Sequence, residues 1–284
     1  MTSVLVIGIW LSAWALNVWL SKRSLATDWL TQLRDLIVPA IFGLTLLFLW
    51  QMIVRGFEVP AVLLPAPTDI AIKFSASLPT LYADFVQTVL RAVIPGWIIG
   101  NLAGFLTAIA CDRVPFLRRG LLPLGNFVAA LPMVGIAPIM VMWFGFDWQS
   151  KAAVVVIMTF FPMLVNALAG LNASGNLERD LMQSYGASPF QTLLKLRLPA
   201  AMPFIFNALK INSTLAMIGA IVAEFFGTPI VGMGFRISTE VGRLALDMVW
   251  AEIAVAGLVG SAFYALLIAI ERAVTFWHPS FRAR

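Results

Sequence analysis

Read for hydrophobicity alone, the chain alternates long apolar runs with short polar punctuation. Seven runs approach the ~20 mostly apolar residues that a helix needs to cross a bilayer. They are 4–20, 36–54, 86–111, 121–144, 152–171, 204–226 and 250–274. This pattern predicts an all-α membrane protein. Run 4–20 is the shortest. No basic residue precedes it while Lys22 and Arg23 follow it. That order predicts an anchor-like helix with its N-terminus outside rather than a cleaved leader.

Two runs are marked by their small or helix-breaking residues. Run 121–144 contains Pro123, Pro132 and Pro138, each of which removes a backbone donor. A kinked helix packed in a bundle and a pore-lining helix both fit. Run 86–111 carries Gly96, Gly100 and Gly104 at spacing four. Such a stripe lets another helix approach closely, within one subunit or across a dimer seam.

Composition agrees with the pattern. Hydrophobic residues make up 61% of the 284 and charged residues only 12%, against roughly half and a quarter in soluble domains. The single cysteine, Cys111, excludes an intrachain disulfide, and the single histidine, His278, leaves no His/Cys metal cluster. The net charge of +5 points to cytoplasmic loops facing anionic lipid rather than to nucleic acid. Twelve of the 19 Lys and Arg residues fall in 21–35, 112–120, 172–203 and 271–284, and five in 55–85, 145–151 and 225–249. The excess places the first set in the cytoplasm. Arg91 stands well inside a run, and Lys210 near the cytoplasmic start of another, where it can snorkel.

The longest cytoplasmic connection, 172–203, includes DLMQSYGASPFQTLLKLRLPAAMP from Asp180 to Pro203. A helix is expected over 180–185, with Gly186 in its C-terminal turn. Ser188 is then an N-cap, Pro189 the first residue of a second helix and Gln191 its third, which makes a capping box. Pro199 predicts that this helix ends by Arg197. Phe190, Leu193, Leu194 and Leu198 give it an apolar face, while Arg179, Lys195 and Arg197 supply charge. A helix pair lying on lipid and a docking site for another protein both fit the composition.

The same residues resemble the cytoplasmic signature of permeases of bacterial ATP-binding-cassette importers, E-A-A-x3-G-x9-I-x-L-P. Here Asp180-Leu181-Met182 is followed by three residues, Gly186, nine residues and Leu196-Arg197-Leu198-Pro199. The spacing matches throughout; Asp replaces Glu, and Leu-Met replaces Ala-Ala. The segments LLPAPTDI, LPMVGIAPIMVMWFG and AEFFGTPIVGMGF resemble the branch that imports sulfonates, taurine, nitrate, bicarbonate and pyrimidine precursors. The resemblance implies a six-helix type I importer domain over 36–284, preceded by an additional N-terminal helix and linker over 1–35. It implies that Asp180, Gly186, Ala187, Ser188, Pro189, Phe190, Leu198 and Pro199 couple to an ATPase subunit. It further implies a second copy of the permease, two cytoplasmic ATP-binding subunits holding ATP and Mg, an external solute-binding protein, and a place in the bacterial inner membrane.

What the sequence lacks agrees with that division of labour. No G-x4-G-K-[ST] occurs, so this chain is expected to be no enzyme and to bind no cofactor. Gly232-Met233-Gly234 reads as an outside turn rather than the start of a dinucleotide fingerprint. Asn101, Asn126, Asn166, Asn207, Asn212, Ser213 and Thr214 lie within apolar runs, where amides bond to other helices or line a cavity. The dense set Asn207, Asn212, Ser213, Thr214 and, further out, Glu224 is the candidate translocation pathway. Glu224 is also placed to pair with Arg236. Trp143 and Phe144 read as an interface belt. A stand-alone secondary transporter is the alternative function. It requires ionisable relay residues in the membrane, and Arg91 is the single charge expected deep in a span. A membrane scaffold, which needs no polar run, is a third possibility.

Overall fold

A computed structural model describes residues 2–22, 28–129, 131–227 and 229–277, and every regular element among them is helical. We number the helices α1 (Thr2–Lys22), α2 (Asp28–Gly56), α3 (Pro67–Ala76), α4 (Leu78–Arg113), α5 (Pro115–Ala129), α6 (Met133–Phe144), α7 (Trp148–Leu171), α8 (Asn176–Ser184), α9 (Pro189–Glu224), α10 (Met233–Gly242) and α11 (Leu246–Val274). Five of them, α2, α4, α7, α9 and α11, contain stretches long and apolar enough to cross a membrane. Run 4–20 forms the 21-residue helix α1. His278 lies outside the described residues, as does the side chain of Asn126.

The chain divides into two compact units, Met1–Leu78 with Glu240–Ala251, and Pro79–Thr239 with Glu252–Arg284. In the first, α1 packs along α2 and leaves an apolar groove lined by Trp10, Trp14, Val38, Pro39, Phe42 and Leu46. Gln51 exchanges two hydrogen bonds with Thr68 on α3, and Arg55 meets Asp69 at 2.5 Å. Trp50 and Trp250 stack edge to face, with centroids 4.8 Å apart.

The second unit is built around α7, which packs against α4 on one side and α9 on the other. The glycine stripe explains the first contact. A Cβ on Gly96 would lie 2.7 Å from both Ala152 O and Val155 Cβ, and one on Gly100 would meet Thr159 Oγ1 and the Val156 backbone. The stripe therefore serves packing within one subunit. Further core clusters join Phe161, Leu164 and Leu168 to Ala108, and Val89, Val93 and Val155 to Met217 and Met233.

Three expectations are corrected. Run 121–144 is two helices, α5 and α6, broken around Leu131 and Pro132, because Pro132 sits in extended backbone just before α6. The first loop helix is Asn176–Ser184, starting earlier than 180. The second does not end by Arg197: α9 runs unbroken for 36 residues from Pro189 to Glu224. It passes Pro199 through a π turn, Leu193–Arg197, in which Leu198 N–H donates to Leu193 O, five residues back. The wider turn relieves the clash between a proline ring and the carbonyl four residues earlier. The same device recurs in α4. There a π turn over Val86–Val93 precedes Pro95, and Ile94 N–H donates to Val89 O.

Candidate coupling loop and buried polar network

The loop between α7 and α9 is locked by local chemistry at both of its turns. Glu178 Oε2 accepts from Gly175 N–H at 3.0 Å at the start of α8. At its end Gly186 adopts φ +69°, a left-handed conformation that glycine takes without steric cost. Gly186 N–H donates to Gln183 O and Ala187 N–H to Met182 O, which is the Schellman pattern. Two residues after Gly186, Ser188 Oγ accepts from Gln191 N–H at 3.2 Å, and Ser188 N–H donates to Gln191 Oε1 at 2.8 Å. Pro189 opens the helix, so the expected capping box is present.

The tip is exposed and apolar: Leu177, Leu181, Tyr185, Phe190 and Leu194 all face away from the chain. Asp180, Gly186, Ser188 and Pro189 are exposed beside them, whereas Ala187, Leu198 and Pro199 are half-buried. The base is fixed. Leu193 and Leu198 pack against Leu171, Ala201 and Ile109. Arg197 forks onto Asp112 at the end of α4, with Nη1–Oδ2 2.7 Å and Nη2–Oδ1 2.6 Å, and its Nε donates to Leu171 O at 3.0 Å. One guanidinium thus ties the loop to the ends of two spans. The sequence had marked Arg197 only as charge.

The polar residues inside the spans sort by burial. Asn212 and Ser213 are buried, and Asn212 Nδ2 donates to Asn101 Oδ1 at 2.6 Å and to Thr159 O at 2.7 Å. Asn207 and Thr214 lie on an exposed stripe of α9, with Ile211 and Ile218. Asn207 donates to Asn166 Oδ1 at 3.3 Å. Lys210 does not snorkel but pairs with Glu271 of α11 at 2.7 Å.

At the other end of the same helices lies a network that the sequence did not reveal. Glu224 is buried; it accepts from Thr88 Oγ1 at 2.8 Å and from Gly234 N–H at 2.7 Å. Thr88 Oγ1 accepts from Met233 N–H at 2.8 Å. Asp84, fully buried, accepts from Gly232 N–H at 2.6 Å and from Arg236 Nε at 2.9 Å. The expected Glu224–Arg236 pair is corrected: Arg236 takes Asp84, and Glu224 takes the Thr88 hydroxyl and the Gly234 amide instead. These carboxylates cap the N-terminus of α10, where the helix dipole favours negative charge. They also occupy the position a phosphate would need, so the Gly-Met-Gly turn is no nucleotide site. A Cβ on Gly232 would lie 2.7 Å from Glu224 Oε1, which explains glycine there.

Lys151 is buried and donates to Phe146 O at 2.6 Å and to Gly227 O, joining the segments that follow α6 and α9. Glu252 of α11 is fully buried as well. Arg91 is therefore not the single charge held within the spans. Asp147, in the outer segment between α6 and α7, is exposed and caps α7. Its carboxyl is held below the ordinary aspartate range by hydrogen bonds from Gln87 and then Trp148 N–H, and by the nearby cations Arg91 and Lys151. No cluster of potential metal ligands occurs among the described residues.

The profile of the binding-protein-dependent transport system inner membrane components matches residues 100–276. A probable ABC transporter permease protein of Haemophilus influenzae is 29% identical over 218 residues, covering 77% of this chain and 88% of its own length. The formylaminopyrimidine transport permease protein of Halalkalibacterium halodurans is 28% identical over 239 residues, 84% of this chain and 95% of that one. The taurine transport system permease protein of Escherichia coli is 32% identical over 177 residues, 62% of this chain and 64% of that one.

Proposed function

We propose a role that starts from kinship: the chain belongs to the family of binding-protein-dependent transport system inner membrane components. It is a multi-pass plasma-membrane permease subunit of an ABC importer with the all-α type I transmembrane domain, a transport component rather than a catalyst. Beyond that, the permease works as a pair of identical copies with two cytoplasmic ATP-binding subunits, which hold the ATP and Mg, and an external solute-binding protein. It carries a small polar solute of the sulfonate, taurine, nitrate, bicarbonate or pyrimidine type. The residues that take up the ATPase stroke are Asp180, Gly186, Ala187, Ser188, Pro189, Phe190, Leu198 and Pro199. Asn207, Asn212, Ser213, Thr214 and Glu224 contribute to the pathway, Asn207 and Thr214 by facing it and the buried three by holding its walls.

The observation that carries this reading is the loop itself. A tip bearing Tyr185, Phe190 and Leu181 in the open, locked by a Schellman turn and a capping box, is a rigid apolar knob of the kind that fills a pocket on another protein. The test uses vesicles containing the permease, its ATPase and ATP, with ion gradients collapsed by ionophore. Uptake should depend on ATP and on the loaded binding protein. Phe190→Asp should leave the permease inserted but abolish both uptake and retention of the ATPase on purification. Gradient-driven uptake without the ATPase, or normal uptake by Phe190→Asp, would overturn the reading.

A further inference from the structure

The π turn of α4 puts Arg91 at the wall of a cavity of about 510 Å³, lined also by Tyr82, Val86, Gln87, Asp147 and Val231. Arg91 Nη1 donates to Gln87 Oε1 at 3.1 Å. Gln87 Nε2 donates in turn to Asp147 Oδ1 at 3.0 Å, and the same oxygen accepts from Trp148 N–H at 2.8 Å. Asp147 thereby fixes the Gln87 amide with its carbonyl toward the guanidinium. Its own charge is engaged by that amide and by the N-terminus of α7. The guanidinium is left with a single neutral acceptor. No carboxylate among the described residues lies within ion-pair distance of Arg91, and its remaining N–H groups meet no acceptor there. The Tyr82 hydroxyl, on the same cavity, makes no hydrogen bond to a described residue either.

Arg91 lies in a span and is exposed to the cavity, with Asp147 near it but beyond ion-pair distance, and ionisable residues in spans mark solute or ion routes. Arg91 is also aimed: the relay from Asp147 through Gln87 holds one edge of the guanidinium and leaves the other free. Planar guanidinium edges match the paired oxygens of carboxylates, sulfonates and phosphates. The cavity has the volume of a small-molecule site. We propose that Arg91, positioned by Asp147 through Gln87, seats the anionic group of the transported solute on the outer side of the permease. This narrows the solute class to anions and rests on the importer reading above. A lipid phosphate has the same chemistry, and the test separates the two sources.

The probe site is Val86→Cys in a Cys111→Ser background, within the assembled complex in phosphatidylcholine nanodiscs. Labelling of this chain is followed with an anionic reagent, 2-sulfonatoethyl methanethiosulfonate, and with its cationic trimethylammonioethyl counterpart. Arg91→Gln should lower the anionic-to-cationic rate ratio about tenfold, and Arg91→Lys should restore most of it. Methanesulfonate should slow labelling when Arg91 is present and not in Arg91→Gln. Gln87→Leu, which leaves every charge in place, should keep the rate ratio but weaken that protection about threefold. A rate ratio indifferent to Arg91→Gln, or protection that survives it, would overturn the proposal. Protection by phosphatidylglycerol and not by methanesulfonate would also overturn it, because the anion would then be a lipid headgroup. ATP-driven uptake by the wild-type complex tests the importer reading separately, so the two can fail independently.

Discussion

The fork between Arg197 and Asp112 is the side-chain contact that ties the loop to the end of α4, and its worth can be set from geometry. The guanidinium makes two charge-assisted bonds to the carboxylate, at 2.7 and 2.6 Å, and one to Leu171 O at 3.0 Å. The side chains are 18% and 10% exposed. Removing one partner of a fully buried pair costs about 3–5 kcal/mol, because the other is left charged and desolvated. Residual exposure at both ends puts Arg197→Ala at the lower limit, about 3 kcal/mol. Asp112→Asn keeps shape and one acceptor and should cost about 1.5 kcal/mol. Lysine cannot reproduce the fork and reach Leu171 O together, so Arg197→Lys should recover only part of the loss.

The assay is a double-mutant cycle on unfolding in mixed micelles, run beside transport. Arg197→Ala and Asp112→Asn should show a coupling energy of about 2 kcal/mol, well beyond the ~0.5 kcal/mol scatter of independent sites. In vesicles, Arg197→Ala complexes should still assemble and hydrolyse ATP. Stimulation by the loaded binding protein should be lost, since the polar tie from the loop to α4 and α7 is then gone. Additive stabilities together with normal stimulated uptake would refute the reasoning.

Two further outcomes follow from the packing and the charges. Gly100→Ala gains about 1 kcal/mol in helix propensity, but its Cβ meets the Val156 backbone, which cannot yield. Overpacking of about 1–3 kcal/mol should win and lower stability, whereas Gly43→Ala, with nothing within 4 Å, should be tolerated; a stable Gly100→Ala would refute the close α4–α7 contact. Because the Asp147 carboxyl is depressed, its stabilising contribution is present above the ordinary aspartate range and is lost as pH falls below it. Thermal unfolding between pH 3 and pH 6 should therefore show a loss on acidification, and that loss should be smaller in Gln87→Leu, where the largest cause of the depression is gone.

Local chemistry was legible in the sequence and distant pairing was not. Gly186, Ser188, Pro189 and Gln191 announce their turn and cap because each acts within a few residues of itself. The stripe at Gly96, Gly100 and Gly104 announces a close helix contact for the same reason. Proline misled. At Pro199 the rule that a proline ends a helix assumes that the ring must clash with the carbonyl four residues back, and a π turn removes the assumption. Nothing local distinguishes the two outcomes, since what holds the wider turn is the packing of Leu193 and the fork of Arg197. Glu224 was matched with Arg236 on sequence nearness, yet Arg236 reaches Asp84 152 positions away. Asp84 lay in a stretch read as outer loop, and only the continuity of α4 back to Leu78 makes it part of the bundle.

That continuity has a mechanical consequence. Helices α4 and α9 are each 36 residues long, about 54 Å at the usual rise, against a hydrocarbon core of about 30 Å. They run antiparallel and are linked three times. Arg197 meets Asp112 at the cytoplasmic end, Asn212 meets Asn101 in the middle, and Glu224 meets Thr88 at the outer end. A helix that stopped at Arg197 would place a hinge between the loop and everything beyond it. An unbroken one, with the turn at Leu193–Arg197 still hydrogen-bonded, carries displacement of the exposed tip along its whole length. The outer rung is not a passive end. Thr88 and Glu224 hold the first amides of α10, so displacement of α9 relative to α4 would pull directly on the turn at Gly232. Loop and outer network are then two ends of one linked helix pair, and under the proposed importer reading a solute bound on the outer side would report inward through the same three rungs.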